Sequence, residues 1–169
     1  MFPRKFDKNL ISTVRRKLGS WRRMSLAAQF WFMVAYPLLG LARMALLTVP
    51  FRYLAPWLGH NLKTSAAVPL VSERQARQAL EMGRAIRTAA RYTPWESKCL
   101  AQAMVARLLL GLRGIPYALF LGVRKDETDP AGMAAHAWVC SGRAFITGGQ
   151  SFGQFTVVGT FISSSVTGG

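Results

Sequence analysis

Pro94-Trp95-Glu96-Ser97-Lys98-Cys99-Leu100, running on through Leu112 to Gly114-Ile115-Pro116, reads as a helix with a marked start and a marked stop. Proline is disfavoured inside a helix but welcome in its first turn, so the spacing predicts a start around Pro94 to Ser97. Leu100, Ala103/Met104, Arg107/Leu108 and Leu112 recur at helical period, and Gly114 with Pro116 closes the run. Beyond Pro116 the period changes to that of strands, over residues 117–123, 134–140, 143–147 and 154–162, with Ser141-Gly142 as a hairpin turn. Upstream, Ser72 caps a helix reaching about Arg91, with Glu73 in its first turn. Helices followed by a run of antiparallel hairpins give an α+β fold.

Two residues at fixed places in that pattern carry chemistry. Cys99 lies near the start of the 94–112 helix, where unsatisfied amide N–H groups and the helix dipole favour a thiolate, and Lys98 adds a neighbouring positive charge. His136 sits in Ala135-His136-Ala137-Trp138-Val139, an alternating strand whose flanking alanines leave room for another chain to approach. On that strand His136, Trp138 and Cys140 share one face. Read alone, Cys99 is as readily a small buried hydrophobe as a nucleophile, and His136 as readily a satisfied core histidine as a base. Cys140 lacks a helix start and reads as a packing residue.

The chain has 169 residues, 51% of them hydrophobic, and a formal net charge of +15. Such a charge calls for an anionic partner or surface. Residues 1–23 hold eight Lys and Arg against Asp7, a net +7. These charges are not interleaved with exposed aromatics, which argues against a nucleic-acid groove. Arg77, Arg84, Arg87 and Arg91 share one helix face, read first as solvated and second as a contact for an acidic peptide or lipid.

Residues 24–42 carry no formal charge, a length just sufficient to span a bilayer. Gln29, Pro37 and Gly40 interrupt the run, while Leu26, Phe30, Met33 or Val34, and Leu41 form a helical stripe, so a buried or interfacial helix is the favoured reading. Gly59-His60-Asn61 is a helix stop with His60 a cap or surface residue. The resulting organisation is a basic, apolar helical segment over 1–62, a linker over 63–71, and the domain carrying Cys99 and His136 over 72–169. Two cysteines make no disulfide framework and no secretory signal pattern opens the chain, which points to a reducing, cytoplasmic setting. Cys99, His136, Cys140 and His60 lack the spacing of metal ligands, and no phosphate-binding loop occurs, so neither metal nor cofactor is expected.

Residues 94–161 resemble the transglutaminase-like cysteine peptidases of lasso-peptide biosynthesis, the family of the microcin-processing leader peptidase. The resemblance rests on an ordered set: Cys99-Leu100, Leu112-Arg113-Gly114-Ile115-Pro116, Leu121-Gly122-Val123-Arg124-Lys125, Ala135-His136-Ala137-Trp138-Val139, Thr147-Gly148-Gly149 and Phe155-Thr156-Val157-Val158. The basic, apolar leader of residues 1–60 is also similar to that of stand-alone members. The resemblance implies a papain/transglutaminase-like core, a Cys99 nucleophile, a His136 base, and an oxyanion held by the Cys99 backbone N–H with a group near Trp95. It further implies a lasso precursor as substrate, a separate asparagine-synthetase-like cyclase, and no cofactor. No strand hairpins of a winged-helix recognition domain are read in residues 1–90, so a separate recognition protein is expected to deliver the leader. One departure matters. The family pattern places an acid beyond the histidine to orient its ring, whereas no Asp or Glu follows Asp129 and Thr147-Gly148 stand in its place. Thr147, Gln150 or a backbone carbonyl is left to orient His136, as an amide does in papain-like enzymes. The rival readings are a membrane-associated scaffold that has lost catalysis and a transglutaminase-like acyl transferase.

Overall fold

A computed structural model describes residues 25–65, 67–127, 132–150 and 152–163. The basic cluster of residues 1–23 and the acid Asp129 lie outside the described residues. Among the described residues there are four α-helices and one five-stranded antiparallel sheet. In chain order they are α1 (Leu26–Thr48), α2 (Phe51–Leu54), β1 (His60–Asn61), α3 (Glu73–Tyr92), α4 (Cys99–Leu112), β2 (Ala118–Lys125), β3 (Met133–Ser141), β4 (Ala144–Thr147) and β5 (Thr156–Ile162). The sheet order is β1-β5-β2-β3-β4. The α+β architecture read from the sequence is the one observed.

Local chemistry explains the ends of α3 and α4. Ser72 and Gln75 form a reciprocal capping box: the Gln75 N–H donates to Ser72 Oγ, and the Ser72 N–H donates to Gln75 Oε1 at 3.0 Å. The α4 helix begins at Cys99, later than Pro94 to Ser97. Thr93 Oγ1 donates to the Trp95 carbonyl at 3.0 Å and meets Ser97 Oγ at 2.9 Å, which holds residues 93–97 as a hydrogen-bonded loop. Short polar side chains compete with the helix for backbone partners in this way. At the far end Gly114 has φ +59°, and the Ile115 N–H donates to the Leu110 carbonyl at 2.9 Å, closing the helix before Pro116.

The main core lies between the helices and one face of the sheet, with Leu39, Met82, Ile86, Leu109, Leu110, Leu119, Val139 and Ile146 fully buried. Ala118, Phe120, Trp138, Cys140 and Ile162 form a second cluster on the other face. From Ala137 to Ser141, β3 is therefore buried on both sides, and its simple alternation disappears.

The first helix packs on α3 and α4 through Trp31, Ala35, Leu39 and Ala42. The stripe of Leu26, Phe30, Met33 and Leu41 points outward instead, with Leu26 84% and Phe30 59% exposed. Both stripes are apolar, so periodicity marks their spacing without saying which one faces the core. The small side chains of Ala35 and Ala42 favour close helix approach, which selects the inner stripe. His60 and Asn61 form a short edge strand opposite Ile162 and Phe161, with both residues exposed.

Candidate active site

Cys99 is the first residue of α4, and no side chain caps that helix end. The first-turn amide N–H groups are thereby free of side-chain acceptors beside a half-buried thiol. Lys98, expected to add charge there, forms an ion pair with Glu96 at 3.1 Å, which offsets its effect on the thiol. Gln102, one turn along, donates from Nε2 to the Ser97 carbonyl at 2.8 Å and ties the preceding loop to the helix.

His136 lies on the half-buried stretch of β3, opposite Gly122 of β2. Its ring stacks on Trp138 with centroids 5.9 Å apart and tilts against Phe155 at 5.0 Å. A Cβ on Gly122 would come within 2.8 Å of the Trp138 ring and Phe155 Cβ, so glycine there leaves room for the aromatic stack. His136 Nε2 lies 2.7 Å from the Gly148 carbonyl oxygen. A carbonyl only accepts, so Nε2 carries the proton, and Nδ1 of the neutral ring keeps its lone pair for use as a base.

Cys99 and His136 line one open cavity of about 560 Å³, together with Arg87, Arg91, Ser97, Gln102, Phe145 and the Gly148-Gly149-Gln150 turn. The other expected site residues fall elsewhere. Thr147 is buried and its Oγ1 has no hydrogen-bond partner among the described residues; the group that meets His136 is the neighbouring Gly148 carbonyl. Trp95 does not line the cavity: its indole lies over Gly40 and edge-on to Tyr36 at 5.8 Å. Cys140 is buried, and desolvation pushes its thiol up to about 12, which keeps it protonated and inert at neutral pH. Among the described residues no group of His, Cys, Asp and Glu is placed to hold a metal ion.

Spacing groups Arg87 with a solvated helix face, yet the side chain turns toward the cavity. A register shift between β3 and β4 pairs Val139 with Thr147 and Cys140 with Phe145, leaving Ile146 as the extra residue. Arg87 Nη1 donates to the carbonyl of this extra residue, Ile146. Gly83, one turn earlier, lets α3 approach that same carbonyl. The guanidinium pKa is lowered by burial and then by Arg84 and Arg91. The bulge is a tertiary event and leaves no local signal in α3, so spacing alone misplaces Arg87.

A thiol at a helix start, packed on an antiparallel sheet that carries a histidine, defines a papain- and transglutaminase-like fold. The Transglutaminase-like superfamily matches residues 45–160, most of the chain, and the chain belongs to that superfamily, which includes cysteine peptidases and transglutaminases. No curated protein and no solved structure matches the chain.

Proposed function

We propose that the chain is a cysteine peptidase that removes the leader from a lasso-peptide precursor, with Cys99 as nucleophile and His136 as general base. The observation that supports this reading is the cavity lined by both residues, with the imidazole held by the Gly148 carbonyl. In the proposed reaction Cys99 Sγ gives its proton to His136 Nδ1 and attacks the carbonyl carbon at the leader–core junction. The backbone N–H of Cys99, with the other free amides of the first turn of α4, receives the developing oxyanion. The imidazolium protonates the departing core amine as the C–N bond breaks, leaving a thioester on Cys99. Water then gives a proton to His136 and attacks the thioester, which releases the leader as a free carboxylic acid and returns the thiol. The freed core amine passes to a separate asparagine-synthetase-like cyclase, and a separate recognition protein presents the leader.

A neutral carbonyl orients the imidazole but stabilises the imidazolium less than a carboxylate does, so the reaction runs slower than with an orienting acid. The outward apolar face of α1 and the basic residues ahead of it suit attachment to the cytoplasmic face of a membrane. The test is incubation of a linear lasso precursor and its recognition protein with the wild-type chain or with Cys99→Ala, followed by mass spectrometry. The wild type is expected to release a leader ending in a free carboxylate, and Cys99→Ala to leave the precursor uncut. Cleavage that survives Cys99→Ala sinks the peptidase reading. A leader joined through a new amide would identify an acyl transferase, and an uncut precursor with the folded wild type would favour the scaffold.

A further inference from the structure

The α3 side of the cavity is cationic, with no counter-charge among the described residues. Arg87 and Arg91 stand one turn apart on α3 and both border the cavity that holds Cys99 and His136. Neither forms an ion pair with a carboxylate among the described residues, where the acids Glu73, Glu96 and Asp126 are paired with other cations. No Asp or Glu among the described residues lines the cavity. Arg87 commits one nitrogen to the Ile146 carbonyl, which fixes its guanidinium at the wall and leaves its remaining donors for other acceptors. Arg91 is exposed, and among the described residues its side chain makes no such bond to the backbone of β4.

Crowding two guanidinium groups at the mouth of a site costs energy unless an anion arrives between them. Burial first, and then the neighbouring charges of Arg84 and Arg91, lower the Arg87 pKa, and an anion at the guanidinium acts against both effects. A planar carboxylate suits such a pair because guanidinium groups bind it through parallel N–H···O bonds.

We propose that Arg87 and Arg91 form an anion subsite of the Cys99 cavity that selects peptides carrying an acidic side chain close to the scissile bond. The subsite rests on the peptidase reading, since it assigns specificity to the same cavity. It adds a substrate class, an acidic peptide segment, and gives the two arginines separate duties. Arg87 is anchored in the wall, while Arg91 closes on the carboxylate from the rim.

Alkylation of the full chain tests this with iodoacetate and iodoacetamide, which deliver the same methylene to Cys99 Sγ, displace iodide, and differ in charge. Cys140 stays protonated and buried, so mass mapping is expected to place the adduct on Cys99. The ratio of the iodoacetate rate to the iodoacetamide rate is expected to fall about threefold in Arg91→Gln, the order of one partly screened charge, and to recover in Arg91→Lys. In the wild type the same ratio is expected to fall as salt is added. Alkylation by both reagents with a ratio indifferent to Arg91→Gln and to salt overturns the subsite and leaves the peptidase reading standing. A folded chain whose Cys99 reacts with neither reagent overturns the peptidase reading and the subsite together.

Discussion

At Gly148 two demands meet in one residue: a φ of +70° and a carbonyl aimed at His136 Nε2 at 2.7 Å. A Cβ there would run into the Ala137 carbonyl and lie 3.0 Å from Trp138 Cα, both backbone atoms that cannot step aside. Gly148→Ala is therefore expected to lower the melting temperature, since the left-handed conformation alone costs about 1–2 kcal/mol with a side chain. It should also slow precursor cleavage by misdirecting the imidazole. Thr147 makes the opposite prediction. Its hydroxyl is buried without a partner among the described residues, so Thr147→Val removes an unsatisfied group at nearly constant shape and is expected to leave stability unchanged or raise it by about 1 kcal/mol. Cleavage by Thr147→Val should match the wild type. If that variant melts normally but no longer cuts, the hydroxyl and not the Gly148 carbonyl orients the ring. Cys99 and His136 were legible as residues because a helix start and an alternating strand are local patterns. The partner of His136 was not, because every residue offers a carbonyl and no side chain announces which one turns inward.

Helix boundaries follow side-chain chemistry that composition only partly displays. Ser72 caps α3 as its sequence predicts, and Gln75 completes the box. Ser72→Ala is expected to cost about 1 kcal/mol in a denaturant titration, with an unchanged slope, because the Gln75 N–H loses its acceptor. The start of α4 was displaced toward Cys99 by the Thr93 and Ser97 hydroxyls, and this shift places the thiol in the first turn. Apolar α1 shows the limit of periodic reasoning. Its two stripes are both apolar, and the buried one is the stripe whose alanines permit close packing on α3 and α4. The strand pattern was clearer, since β2, β3, β4 and β5 all fall within the segments marked by alternation, apart from a few terminal residues. The bulge at Ile146 was invisible in that alternation, and with it the inward turn of Arg87.

Across the whole molecule, a helix long and apolar enough to cross a membrane lies against the transglutaminase-like core on one side and presents Leu26, Phe30, Met33, Leu41 and Met44 on the other. A net charge of +15 adds attraction to anionic surfaces, about 1 kcal/mol for each basic residue held near the lipid. In flotation assays the chain is expected to travel with vesicles containing phosphatidylserine, less so with neutral vesicles or at high salt. Phe30→Glu with Leu41→Glu should leave it in the soluble fraction while the melting temperature holds, because both side chains point away from the core. Equal partitioning of the wild type and this double variant would refute attachment through α1. The sequence by itself determined the α+β order, the thiol at a helix start, the imidazole on a strand and the surplus of positive charge, since each is written in local periodicity or composition. Tertiary structure alone decided which face of α1 is buried, which carbonyl holds His136, and that Arg87 and Arg91 border the site. Those outcomes depend on close packing and on the pairing of freed backbone groups between segments far apart in the chain, where local pattern carries no information.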